Sequence, residues 1–202
     1  MGLTVTIVRH GNTFEAGAPL RRIGARTDLP LVASGRDQAT ALGVLFAAQG
    51  FGFDRALSAP LQRTCKTTEQ ILAHQPQPPA IEMADWLTEI DHGPDEGQAE
   101  ADVLARIGDE ALSAWDNAAI SPAGWIVDEK RRLHGWRQLW ENGKGNVLIV
   151  TSNGAARFAL RSDEKLMQQV LALPSLKLRT GAYGIIAREP AGLRLIAWDQ
   201  RP

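Results

Sequence analysis

An arginine and a histidine lie side by side where the first apolar run of the chain ends. The apolar side chains within residues 3–8 predict a short buried strand, and Arg9, His10 and Gly11 follow it directly. In open α/β sheets, ligands bind beyond the carboxyl ends of the strands. A histidine at that place acts as a base, a metal ligand or a nucleophile, and the rest of the chain decides among these roles.

Three further polar side chains follow predicted strands. Arg63 stands in the first turn of a helix directly after a strand predicted at 53–58, where helix amides and a guanidinium together favour a phosphate group. Glu89 lies on a loop after a short strand near 80–83, and Asn153 follows the apolar strand at 146–151. The sequence therefore places a cation, a carboxylate and an amide where they could meet the histidine.

Each of these residues also has a less specific interpretation. His10 could be a histidine whose hydrogen bonds are satisfied at a strand end, and Glu89 could be a solvated loop carboxylate. Arg63 could be a surface cation, although the first turn of a helix is unfavourable for a positive charge. Asn153 could be only the turn residue before Gly154.

The elements that must position these residues alternate between strands and helices. This order predicts a three-layer α/β/α sandwich with a mostly parallel central sheet. Two strands at 182–187 and 193–198, joined through a Pro-Ala-Gly turn, predict an antiparallel edge. We expect a single domain over residues 1–202, with a helical cap inserted at roughly 96–145 whose first helix runs from Glu96 to Ala118.

Composition narrows the class of protein. The chain has 202 residues and a formal net charge of -1, which gives no general attraction to nucleic acid or to an anionic membrane surface. Any affinity for anions must then come from local placement of arginine. One cysteine excludes an intramolecular disulfide, no apolar stretch is long enough to span a bilayer, and no signal-peptide pattern is present. The expected location is cytoplasmic.

Together these segments resemble the histidine phosphatase superfamily, the phosphoglycerate-mutase-like enzymes. The resemblance extends nearly from end to end and follows four segments in the family's order, each at the end of a strand. The residues that carry it are Arg9-His10-Gly11, Gly24, Asp28-Leu29-Pro30-Leu31, Gly35, Ser58-Ala59-Pro60-Leu61-Gln62-Arg63-Thr64, Glu89 and Trp198.

The resemblance implies a mechanism through a phosphohistidine. His10 would attack phosphorus, and Glu89 would first protonate the departing oxygen as an acid and then activate water as a base. Arg9 and Arg63 would hold the phosphoryl oxygens, and Thr13 matches a frequent family position near the phosphate. No cofactor or metal is implied, and the remaining histidines show no ligand spacing.

Asn153 departs from the family pattern. The strand that ends at Thr151 is normally followed in the family by a histidine and a glycine, and this chain has Asn153-Gly154 there. A charge-assisted hydrogen bond contributes about 1.5–3 kcal/mol and a neutral one about 0.5–1.5 kcal/mol. Loss of one preorganised donor costs on the order of 10²–10³ in rate. We therefore expect slow turnover with the nucleophile intact.

Asn12 is a further candidate for phosphate binding, and Arg21, Arg22 and Gly24 are candidates for substrate binding. Asn12 stands where the family often has a carboxylate, so its amide could contact the substrate. Arg21 and Arg22 are either a solvated pair or a substrate clamp that includes Gly24, and their loop begins near the histidine.

His92 lies three residues beyond Glu89, where the family often has an aromatic residue. It could replace the missing imidazole, but the sequence favours a position at the rim of the site. The tryptophans are expected to pack the cap, with one of them a candidate for lining the path to the site; these are Trp115, Trp125, Trp136 and Trp140.

The function predicted from the sequence is hydrolysis of a small phosphorylated metabolite. The length favours a phosphatase over a phosphoglycerate mutase, because family mutases usually carry a longer insertion over the site. Two alternatives remain: a catalytically impaired relative that binds phosphorylated ligands or regulates, and a mutase.

Overall fold

A six-stranded mixed sheet forms the centre of the computed structural model, which describes residues 2–202. Its spatial order is β3-β2-β4-β1-β5-β6. The strands are β1 (Leu3–Arg9), β2 (Arg55–Ser58), β3 (Ile81–Met83), β4 (Gly145–Thr151), β5 (Tyr183–Glu189) and β6 (Gly192–Gln200).

The sheet confirms the predicted fold class. Strands β3, β2, β4 and β1 are parallel, whereas β5 runs antiparallel to β1 and β6 antiparallel to β5. Arg9 at the end of β1 is opposite Thr151 at the end of β4. The register therefore brings the loops that carry His10 and Asn153 to the same edge of the sheet.

Helices cover both faces of the sheet and make the three layers. They are α1 (Ala33–Ala48), α2 (Gln62–Leu72), α3 (Glu100–Ala118), α4 (Glu129–Asn142), α5 (Asn153–Arg161) and α6 (Glu164–Gln169). Alternate residues of β4 enter two different cores, since Leu148 and Val150 pack with α1 and α2 while Val147 and Ile149 pack on the opposite face. Burial on both faces explains why β4 is continuously apolar.

The segment 96–145, predicted as a helical cap, contains α3 and α4. Helix α3 begins at Glu100 and not at Glu96, because Gly93–Asp95 form a short 3₁₀ turn and Gly97 has a φ of +83°. Trp140 of α4 donates from Nε1 to Ser162 Oγ after α5 at 2.6 Å. Helix α4 thus packs in the layer that covers the sheet, and a cap boundary at 96–145 stays a prediction.

Two glycines hold the loop after β1 against the start of α1. A Cβ atom on Gly11 would overlap the carbonyl oxygen of Gly35, and one on Gly35 would overlap that of Asn12. Only glycine permits this approach, so the backbone beside His10 is fixed by α1. Within residues 2–202, no helix is long and apolar enough to cross a membrane.

Candidate active site

A cavity of about 930 Å³ opens beyond the carboxyl ends of β1 and β4. It collects most of the side chains that the sequence singles out for the site. Those that line it are Arg9, His10, Asn12, Thr13, Arg21, Arg22, Glu89 and Asn153. Arg63 and Gly24 are not among the lining residues.

His10 is held as a neutral imidazole with a defined tautomer. Its backbone N–H donates to Thr151 O at 3.0 Å, and its side chain is only 3% exposed. Nδ1 lies 2.8 Å from Gly11 O, an acceptor, so Nδ1 carries the proton and Nε2 keeps its lone pair. Burial, and then the charges of Arg63 and Arg9, lower the pKa of His10 well below its ordinary value. The free nitrogen is therefore nucleophilic at neutral pH.

Glu89 is bound at the start of α5. Its carboxylate accepts from the backbone N–H of Ile90 at 2.9 Å and from that of Gly154 at 3.1 Å. Burial on its own would raise the pKa of Glu89, but the charge that His92 can carry, these two amides and Arg63 together lower it. In the unliganded site this group is a carboxylate with a fixed orientation.

Two arginines with buried Nε atoms lie near the histidine. Arg9 donates from Nη1 to Leu178 O at 2.9 Å, and burial lowers its pKa to about 10. Arg63 is fully buried and donates to Thr27 O at 2.6 Å and Gly24 O at 3.1 Å. In both side chains the buried Nε has no protein acceptor within residues 2–202. Buried donors without acceptors are uncommon and fit an anion-binding site.

Gly24 contacts Arg63 and is not among the residues that line the cavity. A Cβ atom there would overlap Ile90 O and would lie 2.6 Å from His92 Nδ1. The position needs glycine because three segments meet at it. Gly24 therefore has a packing role beside Arg63, and its predicted contact with the substrate stays a prediction.

Asn153 lines the cavity with a side chain of fixed orientation. Its Oδ1 accepts from Leu178 N at 2.9 Å, which fixes the orientation of the side chain. Its Nδ2 has no acceptor among the described residues, so it can donate to a ligand. Asn12 differs, because Thr180 donates to its Oδ1 at 2.5 Å and its Nδ2 donates to Ser34 Oγ at 3.3 Å. The contacts with substrate expected of both residues stay predictions.

The two arginines of the proposed clamp contact the first residue of α3 and the segment before it. Arg21 donates to Gly97 O at 2.8 Å, and Arg22 pairs with Glu100 at 2.5 Å. Arg22 also lies over the Trp125 ring at 5.3 Å and has a buried Nε without a protein acceptor in the described chain. Both side chains line the cavity, and their role as a clamp stays a prediction.

His92 lies inside the cavity wall and not at its rim, which corrects the position favoured from the sequence. It is 4% exposed and packs edge-on against Trp125, with ring centroids 4.6 Å apart. Burial lowers its pKa to about 4, despite opposing effects led by Glu89. Of the four tryptophans expected in the cap, all are buried and Trp115 lines the cavity.

Sequence reasoning misses three cations that line the cavity near the end of the chain, Lys177, Arg179 and Arg201. No local motif marks them, because their position depends on contacts with the distant start of the chain. Within residues 2–202, no group of three or more His, Cys, Asp or Glu side chains is arranged to hold a metal ion.

This fold and site define a class of α/β proteins in which a buried histidine lies near arginines at the carboxyl ends of the central strands. The profile of the histidine phosphatase superfamily (branch 1) matches residues 5–201, so the chain belongs to that superfamily. A 2,3-bisphosphoglycerate-dependent phosphoglycerate mutase of Bacteroides fragilis is 29% identical over 129 residues, which cover 63% of this chain and 51% of the mutase. The match thus spans about half the length of that relative.

Solved structures of phosphatases share the fold over nearly the whole chain. A mycobacterial glucosyl-3-phosphoglycerate phosphatase aligns with a TM-score of 0.76 and 19% identity, covering 98% of this chain and 99% of that one. The alpha-ribazole phosphatase from Shigella flexneri aligns with a TM-score of 0.72 and 22% identity, covering 98% and 96%. At these identities the likeness shows the fold and leaves the substrate open.

Proposed function

We propose that this protein is a metal-independent phosphomonoesterase that acts on a small phosphorylated metabolite through a phosphohistidine at His10. The observation that carries the proposal is the environment of His10. A neutral imidazole with a proton on Nδ1 lines a cavity, and the buried Nε atoms of two nearby arginines have no protein acceptor in residues 2–202. A dianionic phosphoryl group in the cavity would accept from Arg9 and meet the free nitrogen, and the nearby charge of Arg63 would stabilise it.

In the first half-reaction, His10 Nε2 forms a bond to phosphorus while the bond from phosphorus to the leaving oxygen breaks. Glu89 transfers its proton to that oxygen. The ester brings this proton when it enters as a monoanion, and the adjacent phosphoryl charge raises the pKa of Glu89 enough to hold it. Donation from Nδ1 to Gly11 O stabilises the positive charge that the imidazole gains.

In the second half-reaction, water attacks phosphorus and the bond to Nε2 breaks. The Glu89 carboxylate accepts a proton from the water, and inorganic phosphate leaves with His10 neutral again. The amides of Ile90 and Gly154 keep the carboxylate in place through both steps.

The nucleophile is tested by hydrolysis of p-nitrophenyl phosphate with EDTA present. We expect turnover to persist with the chelator and His10→Ala to lower kcat by more than about 10³-fold. His134→Ala, on an exposed histidine of α4, is the matched control and keeps full activity. Full hydrolysis by His10→Ala would exclude this mechanism.

Asn153 is proposed to donate to the phosphoryl group from Nδ2, without the charge of an imidazolium. Asn153→His should raise kcat by about tenfold, the difference between a neutral and a charge-assisted hydrogen bond. No gain would show that the amide does not occupy the place of the family's second histidine.

A phosphate-binding relative with little turnover is the second candidate, and the neutral Asn153 is the observation that favours it. Calorimetric binding of phosphorylated metabolites without release of phosphate would support that candidate. Interconversion of phosphoglycerates would instead support a mutase. A cytoplasmic location is part of the proposal and follows from the sequence expectation alone.

A further inference from the structure

We propose that the substrate carries a second anionic group, a carboxylate or another phosphate, which binds a basic rim formed by Lys177, Arg179 and Arg201. The inference rests on the proposed phosphatase function and specifies the leaving group. All three side chains line the same cavity as His10.

The basic rim is attached directly to the proposed phosphoryl site. Leu178 donates from its backbone N–H to Asn153 Oδ1 at 2.9 Å, and its carbonyl oxygen accepts from Arg9 Nη1 at 2.9 Å. The residues on either side of Leu178 are Lys177 and Arg179. The backbone segment that carries two of the three rim cations therefore adjoins the proposed phosphoryl site.

Arg179 is held in one orientation by Asp199. The Asp199 carboxylate accepts from Arg179 N at 2.7 Å and from Nε at 2.6 Å, and the Asp199 carbonyl accepts from Nη2 at 2.9 Å. Asp199 has a φ of +56°, which is unusual for a residue with a side chain. These bonds leave Nη1 free to donate, and a fixed guanidinium loses little conformational entropy when it binds an anion.

The acidic partners of the rim lie outside the cavity lining. Lys177 pairs with Asp116 at 2.6 Å, and neither Asp116 nor Asp199 lines the cavity. Arg201 has no hydrogen bond or ion pair with any residue of the described chain. All three cationic residues thus line the cavity, whereas the carboxylates that pair with Lys177 and Arg179 belong to residues outside the lining.

The local charge is not a consequence of overall composition, because the whole chain has a net charge of -1. The acidic lining residues besides Glu89 are Glu15 and Glu100, and Glu100 is already paired with Arg22. A phosphoryl group uses Arg9 and leaves the rim cations for a further anion. General attraction of phosphate esters by the rim is the competing explanation, and it would act equally on esters without a second charge.

A matched pair of substrates separates these explanations. 3-Phosphoglycerate and glycerol 3-phosphate differ by a carboxylate in place of a hydroxymethyl group, and fructose 1,6-bisphosphate against fructose 6-phosphate tests a second phosphate in the same way. We expect one anionic member to have kcat/KM at least about tenfold above its partner. The pair that shows the preference identifies the second group.

The preference should depend on the rim. Arg201→Gln and Arg179→Gln should each lower the ratio of kcat/KM within the preferred pair by about fivefold to tenfold, since a hydrogen bond to a charged group is partly screened at an exposed site. Arg201 has no partner to lose, so its variant keeps the fold even where Arg179→Gln disturbs Asp199. Arg194→Gln is the control, because Arg194 is an exposed arginine of β6 paired with Glu189 and absent from the cavity lining.

Two results would overturn the inference. One is equal kcat/KM for both members of each pair in the unmodified protein. The other is an equal loss for both members in Arg201→Gln, which would indicate general attraction only. Failure of the proposed function is distinct, since neither member of any pair would then be hydrolysed and His10 would carry no phosphate.

Discussion

Burial sets the protonation state of individual residues in this site. His10 and His92 are both almost inaccessible to water, and in both the loss of hydration favours the neutral ring. Glu89 is equally buried, yet two backbone amides and nearby positive charge keep its carboxylate ionised. A nucleophilic histidine such as His10 must be neutral, and a general base such as Glu89 must be ionised, and both conditions hold at neutral pH.

The buried state of His92 predicts a pH dependence of stability. Its pKa is about 4 in the folded protein and about 6.5 when unfolded, so between these values the unfolded chain binds the extra proton. The free energy of unfolding therefore falls as pH drops from about 6.5 to 4, and His92 accounts for roughly 3 kcal/mol of that fall. Urea denaturation at several pH values measures it.

His92→Phe keeps an aromatic ring against Trp125 and removes the titrating group. Its free energy of unfolding should decline less steeply over the same pH range. The difference in slope between the two proteins should correspond to close to one proton taken up on unfolding. An identical pH slope in both proteins would contradict the assignment of a buried neutral ring to His92.

At the level of elements, the start of α5 positions the carboxylate. Gly154 donates its N–H to Glu89 Oε2, and a Cβ atom on Gly154 would overlap Glu89 Oε1. Because Gly154 has no Cβ atom, the Glu89 carboxylate can approach the start of α5 closely.

Gly154→Ala should displace Glu89 and lower kcat on p-nitrophenyl phosphate by about 10²-fold, within the range that general acid–base catalysis contributes. Gly52→Ala is the matched control, because a Cβ atom on Gly52 meets no atom within 4 Å. Thermal unfolding of both variants separates a local effect from loss of the fold. Unchanged kcat in Gly154→Ala would show that Glu89 is not the acid and base.

The sequence predicts those parts of the fold and site whose signals are local. The end of β1 at Arg9 and the strand before Asn153 are marked by apolar runs, and both lie as expected. The sequence predicts a start of α3 at Glu96, whereas the helix begins at Glu100. The Glu96 side chain instead makes tertiary contacts, accepting from Arg26 N at 2.7 Å and Thr27 Oγ1 at 2.8 Å. Helical periodicity carries no information about such contacts.

The basic rim was not predictable for the same reason. It depends on the bond from Arg9 to Leu178, which joins residues 169 positions apart. Gly24 shows the opposite case, since the sequence marks it as special but cannot distinguish a packing position behind Arg63 from a contact with substrate.

For the whole molecule, the distribution of charge matters more than its sum. The buried Arg63 and Arg157 and the half-buried Arg9 surround a buried carboxylate, Glu89, in a chain whose net charge is only -1. Burial lowers the pKa of both Arg9 and Arg157 to about 10. The folded protein therefore encloses positive charge that a bound anion would offset.

Inorganic phosphate should stabilise the fold by binding only the folded state. At a concentration of about 100 times Kd the gain is about 2.7 kcal/mol, which raises Tm by roughly 5–10 °C in a protein of this size. Sodium chloride at matched ionic strength is the control, and Arg9→Gln should remove most of the shift. Equal shifts with phosphate and chloride would argue against a phosphoryl site at Arg9.

The most direct test of the account is to look for phosphate on the histidine during turnover. The protein is mixed with p-nitrophenyl phosphate, quenched within milliseconds to seconds in alkali, and digested for mass spectrometry under conditions that preserve phosphohistidine. We predict a phosphoryl group on His10 that is labile in acid and stable in base, and that is absent in His10→Ala. Steady hydrolysis with no phosphate on His10 at any quench time would contradict the proposed mechanism.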